Sequence, residues 1–190
     1  TGVLVARIAS ELGIELNEAG ARGVFTSIVT DTGWFKYSNT DAETLAVAAS
    51  LVNKGIEVST EYMDLFQRRP TTHPVELGHL LTRTEFHADG RLALLTLPLD
   101  PSGKVHEMET DEALDVVRSV GTIEVVIFVR EVRPGLCKLS ARSKTSYDVA
   151  ALARNFGGGG HRKASGATID GSLNDASQSV LRAALEALDA

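Results

Sequence analysis

Residues Val125-Val126-Ile127-Phe128-Val129 form an unbroken β-branched and aromatic run. A strand that alternates apolar and polar residues can leave one face in water, but this run has no polar face to leave there. It reads as a strand buried on both sides. The fold must therefore supply packing material above and below a sheet. Strand partners lie close by. Pro134-Gly135 turns the run into residues 136–141, Ala88-Asp89-Gly90 marks a hairpin between residues 82–87 and 91–97, and residues 164–169 read as a further strand. Amphipathic helices are predicted over residues 75–81, 110–120 and 148–155, and from Ser172 on, where Val180, Leu181, Ala184, Leu185 and Leu188 share a face. The expected class is α/β, with a C-terminal mixed β-sheet domain covered by helices.

The first third has a different period. Leu4, Ile8 and Leu12 recur every four residues before Gly13, which predicts a helix with these three on its packed face. Asn17 is placed to cap a second helix, whose stripe of Ala21, Val24, Phe25 and Ile28 delivers the chain to Asp31. Thr40 and Glu43 have capping-box spacing, Leu45, Ala48, Ala49 and Val52 form the next stripe, and residues 58–66 make a fourth helix. No strand is evident there. Arg68-Arg69-Pro70-Thr71-Thr72-His73-Pro74 then breaks the periodicity with two prolines. The expected organisation is a helical region over 1–67, a linker over 68–76 and a sheet domain over 77–190.

Chemistry concentrates in Asn155-Phe156-Gly157-Gly158-Gly159-Gly160-His161-Arg162-Lys163-Ala164-Ser165-Gly166-Ala167. Four glycines let a backbone take positive φ and approach a ligand closely, and the imidazole, guanidinium and ammonium that follow are donors to phosphate oxygens. Neither the P-loop nor the dinucleotide spacing fits when counted from Gly157 or Gly158. The plainer alternative is a flexible bend before a strand. Local charge favours an anion site. From Arg142 to Lys163 there are five cations (Arg142, Lys144, Arg154, Arg162, Lys163) and one acid, Asp148, in a chain of net charge −6.

The glycine-histidine stretch, preceded by Arg142-Ser143-Lys144, resembles the DHH-associated domain of the RecJ-like DHH phosphoesterases. Upstream, Thr30-Asp31-Thr32-Gly33-Trp34-Phe35-Lys36-Tyr37-Ser38-Asn39-Thr40 resembles the last metal-binding motif of their catalytic domain. Two motifs in the right order cover nearly the whole chain. The resemblance is nearest to the small oligoribonucleases that also dephosphorylate 3′-phosphoadenosine 5′-phosphate. It implies that residues 1–67 are the helical tail of a truncated α/β DHH catalytic domain and that residues 77–190 grip substrate.

On this resemblance Asp31 is a ligand of a catalytic metal pair, manganese or alternatively magnesium. His161 lies beside the substrate phosphate, with Arg142, Ser143 and Lys144 as further contacts. Gly158, Gly159 and Gly160 give backbone donors or room for approach. The implied partners are short single-stranded RNA or a nucleoside bisphosphate, with closure about the linker, and a homodimer is suggested by the resemblance alone. Arg142 can fork onto two phosphate oxygens, whereas Lys144 acts as a point charge. Trp34 and Tyr37 are candidates for stacking on a base, against the commoner reading as core.

Asp-His-His and an early Asp-x-Asp, which the family also uses, do not occur in these residues. The chain begins at Thr1 within an apolar-periodic segment, which reads as a fragment, and alone it is expected to be inactive. Two rivals stand beside this reading. One is a noncatalytic RNA-binding module like that appended to alanyl-tRNA synthetases, which has no use for Asp31; the other is a cyclic-dinucleotide phosphodiesterase.

The net charge of −6 disfavours a general duplex-DNA binder, since such affinity comes from many phosphate contacts. No apolar run approaches the ~20 residues of a membrane span and no leader is visible. The single cysteine, Cys137, reads as a small buried apolar residue, and a cytoplasmic location is expected. His73, His79, His87 and His106 show no repeated ligand spacing and are expected to be surface or structural.

Overall fold

The computed structural model describes residues 1–102 and 111–188. The chain divides into two units, Thr1–Pro70 and Thr71–Ala190. The first holds four helices: α1 (Gly2–Glu11), α2 (Glu18–Asp31), α3 (Ala42–Val52) and α4 (Val58–Phe66). Its core is Ala21, Val24, Phe25, Ile28, Val29, Ala48, Leu51 and Ile56. The α2 stripe packs as predicted, and the Asn17 Oδ1 accepts from the Gly20 N–H at 2.8 Å to close its first turn.

Two of the predicted faces are corrected. In α1, Leu4, Ile8 and Leu12 point outward and are 57%, 58% and 67% exposed, while Gly2 and Ala9 are buried. The small residues decide this: a Cβ on Gly2 would lie 2.7 Å from the Ile28 side chain, so α1 reaches α2 only where its surface is bare. In α3 the buried face is Thr44, Ala48 and Leu51, and Leu45, Ala49 and Val52 are exposed. A helix reading Ala-Glu-Thr-Leu-Ala-Val-Ala-Ala-Ser-Leu-Val is apolar on most sides, so periodicity identifies the helix without selecting its face. Its cap is Asp41 rather than Thr40, with Oδ1 accepting from the Thr44 N–H at 2.8 Å and the Thr44 hydroxyl at 2.7 Å.

The second unit runs α5 (His73–Leu81), β1 (Glu85–His87), β2 (Leu92–Leu97), α6 (Asp111–Arg118), β3 (Val125–Arg133), β4 (Leu136–Ser143), α7 (Val149–Arg154), β5 (Gly159–His161), β6 (Ala164–Asp170) and α8 (Leu173–Leu188). Helix α5 starts inside the stretch expected as linker. His106 and the predicted helical residue Thr110 lie outside the described residues. The strands form one mixed sheet in the order β1-β2-β3-β4-β6-β5, with β2 and β3 parallel and the other neighbours antiparallel.

Strand β3 is the axis, and every residue from Val125 to Val129 is buried. Val125, Ile127 and Val129 face α7 and α8 with Leu139, Val149, Leu152 and Val180, whereas Val126 and Phe128 face α5 and α6 with Leu80, Leu114 and Val117. Burying one such side chain contributes roughly 1.5–3 kcal/mol. The hairpin turn holds Ala88, Asp89 and Gly90 all at positive φ (50°, 55° and 80°).

Polar ties fix the periphery. Arg91 Nε donates to Glu124 Oε1 at 2.7 Å, which holds the Glu124 carboxyl below its usual range. The Tyr147 hydroxyl donates to the Ala184 carbonyl at 3.1 Å, and burial pushes the phenol up to about 12. Cys137 is buried as predicted, and desolvation raises its thiol. His73 is also buried, with Nε2 2.7 Å from Glu112 Oε2, tying α5 to α6. Among the described residues no helix is long and apolar enough to cross a membrane.

Candidate functional site

Residues that pair directly across a sheet share a face, so the register locates the predicted site residues. Phe86, Ala93, Val126, Arg142, Ala164 and His161 form one row across all six strands. Helices α5 and α6 pack over β2 and β3. Beyond them, Arg142 on β4 and His161 on edge strand β5 stand on the same face, which is open among the described elements, about 9.5 Å apart at two strand spacings. Between them in the register, among the described residues, lies only the methyl group of Ala164. The next row on this face is Ser140, Gly166 and Gly159. The floor between the guanidinium and the imidazole therefore has almost no side chains.

The four glycines have different reasons. Gly157, at φ 71°, and Gly158 close the end of α7, their N–H groups donating to the carbonyls of Arg154 (3.1 Å) and Ala153 (2.9 Å). A Cβ on Gly158 would overlap the Gly166 carbonyl and Ala167, so this glycine allows close packing and has no free donor for a ligand. Gly160 is at φ 142°, and a Cβ there would sit 2.7 Å from the Ala164 carbonyl oxygen. Gly159 has neither reason: its φ is ordinary and a Cβ would meet nothing within 4 Å. Half of the stretch is thus an edge strand, where the sequence predicted a loop throughout.

The cations also separate. The Lys144 ammonium donates to the carbonyls of Arg118 (3.1 Å), Val120 (2.7 Å) and Gly121 (3.5 Å), capping the end of α6. Arg162 donates to the Ser146 carbonyl through Nε (3.2 Å) and Nη2 (2.9 Å), and Lys163 donates to the carbonyls of Lys144 and Thr145. These three stitch the loop after β4 in place. Ser143 is buried on the α7–α8 side, its hydroxyl donating to the Thr145 carbonyl at 3.3 Å. Arg142 is different. Its Nη2 donates to Asp111 Oδ1 at 2.9 Å, a carboxylate 75% exposed at the start of α6, besides an Nη1 bond to the Ala141 carbonyl at 3.2 Å. His161 is exposed. A cleft of about 460 Å³ bordered by Arg91, Glu124, Tyr147, Asp148, Leu152 and Leu188 contains none of the predicted site residues.

In the first unit Asp31 ends α2, and the chain then makes a left-handed turn, with Gly33, Trp34 and Phe35 at φ 56°, 60° and 65°. Left-handed backbone costs a non-glycine residue roughly 1–2 kcal/mol, so neighbours must hold it. The Thr32 hydroxyl donates to the Ile28 carbonyl (2.7 Å) and accepts from the Phe35 N–H (3.1 Å), and Asn39 Nδ2 donates to the Asp31 carbonyl at 3.1 Å. Trp34 meets Phe25, Phe35, Tyr62 and Phe66 edge-on at 4.9–6.5 Å, so it anchors the turn and is not a bare stacking platform. Tyr37 packs its ring against Gly33, where a Cβ would overlap it. The turn leaves the Asp31 carboxylate exposed, an oxygen donor suited to a hard divalent cation. Among the described residues no group of three or more potential ligands gathers around it.

Sequence reasoning missed Asp111, Ser140 and the bare Ala164. Alternation along β4 put Ser140 beside Arg142, but only the β6 and β5 register shows what lies opposite.

Residues 90–190 match the DHHA1 domain family. The chain is 35% identical over 189 residues to the bifunctional oligoribonuclease and PAP phosphatase NrnA of Thermus thermophilus, covering 99% of this chain and 57% of that protein. The Bacillus subtilis protein of the same description is 29% identical over 163 residues, covering 84% and 50%. An exopolyphosphatase-related protein from Bacteroides fragilis superposes with a TM-score of 0.87 at 26% identity over 97% of this chain and 55% of that one. The chain thus spans about half the length of the curated relatives it matches. With residues 90–190 matched to that domain and these likenesses running over nearly the whole chain, the chain belongs to the DHH family and carries its DHHA1 domain.

Proposed function

We propose that this chain is the substrate-gripping part of a metal-dependent phosphoesterase that hydrolyses very short RNA and 3′-phosphoadenosine 5′-phosphate. The observation that carries the reading is the bare floor between Arg142 and His161. A phosphate resting over Ala164 meets a forked cation on one side and an imidazole on the other, with Gly159 leaving room for the sugar. Arg142 releases Asp111 and takes the phosphate oxygens in its place. Charge-assisted bonds of this kind contribute about 1.5–3 kcal/mol each.

In this reading Asp31 holds one of two manganese ions, or magnesium in their place, and the metals supply an activated water and neutralise charge on the phosphate. Thr32, Asn39 and the Trp34 cluster keep its carboxylate turned outward. The exposed apolar faces of α1 and α3 support residues 1–67 as the tail of a larger α/β catalytic domain, with residues 77–190 as the DHHA1 substrate domain. Ser143 and Lys144 act one step behind the phosphate, by holding the end of β4. A cytoplasmic enzyme, homodimeric as the family resemblance suggests, completes the proposal.

Calorimetry with 3′-phosphoadenosine 5′-phosphate tests the grip: Arg142→Ala and His161→Ala weaken binding roughly tenfold or more each. In the full-length parent, Asp31→Ala abolishes turnover. Normal turnover in that variant, or unchanged binding in the other two, sinks the assignment.

A further inference from the structure

The face that carries Arg142 does not stop at Arg142. Strand alternation puts Ser140 and Lys138 on it as well, and the register sets Lys138 between Arg130 on β3 and Thr168 on β6. Helices α5 and α6 cover this side of β2 and β3, and α7 and α8 pack on the other side, so the β4–β6–β5 part is open among the described elements. Lys138 and Thr168 are exposed, and Arg130 and Ser140 are half-buried. The side chains of Arg130, Lys138 and Ser140 have no hydrogen bond or ion pair among the described residues. Lys144, Arg162 and Lys163 are by contrast engaged on backbone carbonyls. Four residue steps along the strand, about 14 Å, take Lys138 to Arg142. That reach exceeds the two phosphates of one nucleoside and suits the backbone of a short oligonucleotide. Asp170, opposite Leu136 on the same face, sets an acid beyond Lys138 and ends the track.

We propose that Lys138, Arg130 and Ser140 form a second phosphate subsite on the β4 face, holding the following backbone phosphates of a short single-stranded RNA whose first phosphate lies between His161 and Arg142. The proposal rests on the function given above and adds what distinguishes an oligonucleotide from a bisphosphate. The cations bind the chain's phosphates, the Ser140 hydroxyl donates to a bridging stretch between them, and the flat floor of Gly166 and Ala164 admits a backbone of any sequence.

The test compares fluorescein-labelled triadenylate and pentaadenylate with 3′-phosphoadenosine 5′-phosphate on the 190-residue chain, using Lys138→Ala, Arg130→Ala and their combination. The double variant is expected to weaken oligonucleotide binding about tenfold and leave the bisphosphate within twofold. Its log–log salt slope for the oligonucleotide becomes shallower by about 1.4, roughly 0.7 for each of two lost phosphates. Arg182→Ala on α8, which removes a cation elsewhere, changes neither ligand. Equal losses for both ligands, or no loss for either, overturn the subsite while leaving the Arg142–His161 grip standing. A wild-type chain that binds neither ligand overturns the grip itself and the subsite with it.

Discussion

Replacing Gly159 by valine puts a branched side chain on the open floor beside His161. The residue lies in an edge strand at ordinary φ, and nothing stands within 4 Å of its missing Cβ. Folding therefore gains: removing glycine's backbone freedom contributes about 0.4–1 kcal/mol, and a β-branched residue suits a strand. Binding loses, because the side chain stands where the ligand is proposed to rest. If one charge-assisted bond is displaced, the loss is about 1.5–3 kcal/mol, or roughly ten- to 150-fold. Gly158→Ala makes the opposite case, since its Cβ overlaps the Gly166 carbonyl and Ala167. Overpacking of that kind costs typically 1–3 kcal/mol in stability. Thermal melting with calorimetry on 3′-phosphoadenosine 5′-phosphate reads both quantities. Gly159→Val melting at or above the wild type while binding collapses is the expected result. Wild-type affinity in a well-folded Gly159→Val variant refutes the claim that the floor is a ligand surface.

Lys144→Met removes the cap of α6, and denaturant unfolding is expected to show a loss of about 1 kcal/mol; a variant that loses bisphosphate affinity at unchanged stability shows instead that the ammonium reaches the ligand. Tyr147 is neutral when protonated and its folded value is raised to about 12, so its contribution is complete below the ordinary tyrosine range near 10 and is lost as pH rises through 10 toward 12. Tyr147→Phe flattens that alkaline decline, and an unchanged slope in alkaline melts refutes the assignment. Asn17→Ala removes the α2 cap and is expected to cost about 1 kcal/mol by chemical denaturation.

The sheet was legible because the 125–129 run permits only one environment, and turn chemistry marked its partners. The helices of the first unit were legible as helices, but α1 and α3 were turned the wrong way. The sequence shows where apolar residues recur, while Gly2 and Ala9 show where another backbone comes close, and that closeness is a property of the pair. The arrangement of the candidate site residues was half legible. Arg142 and His161 stood out by type and meet on one face through pairing between residues 142, 164 and 161. Lys144, Arg162 and Lys163 counted equally in the local charge, yet their ammonium and guanidinium groups are turned onto carbonyls, which no tally of charges can foresee.

Trp34 is the only tryptophan of the chain and lies three residues from Asp31 inside its aromatic cluster. Excited where tyrosine does not absorb, the chain therefore carries a built-in label in the first unit and none in the second. Its emission reports the melting of the helical unit alone, while far-ultraviolet dichroism reports both, so one sample resolves whether the two units unfold together. On the metal role proposed for Asp31, titration with a divalent ion is expected to shift the same signal without any added dye.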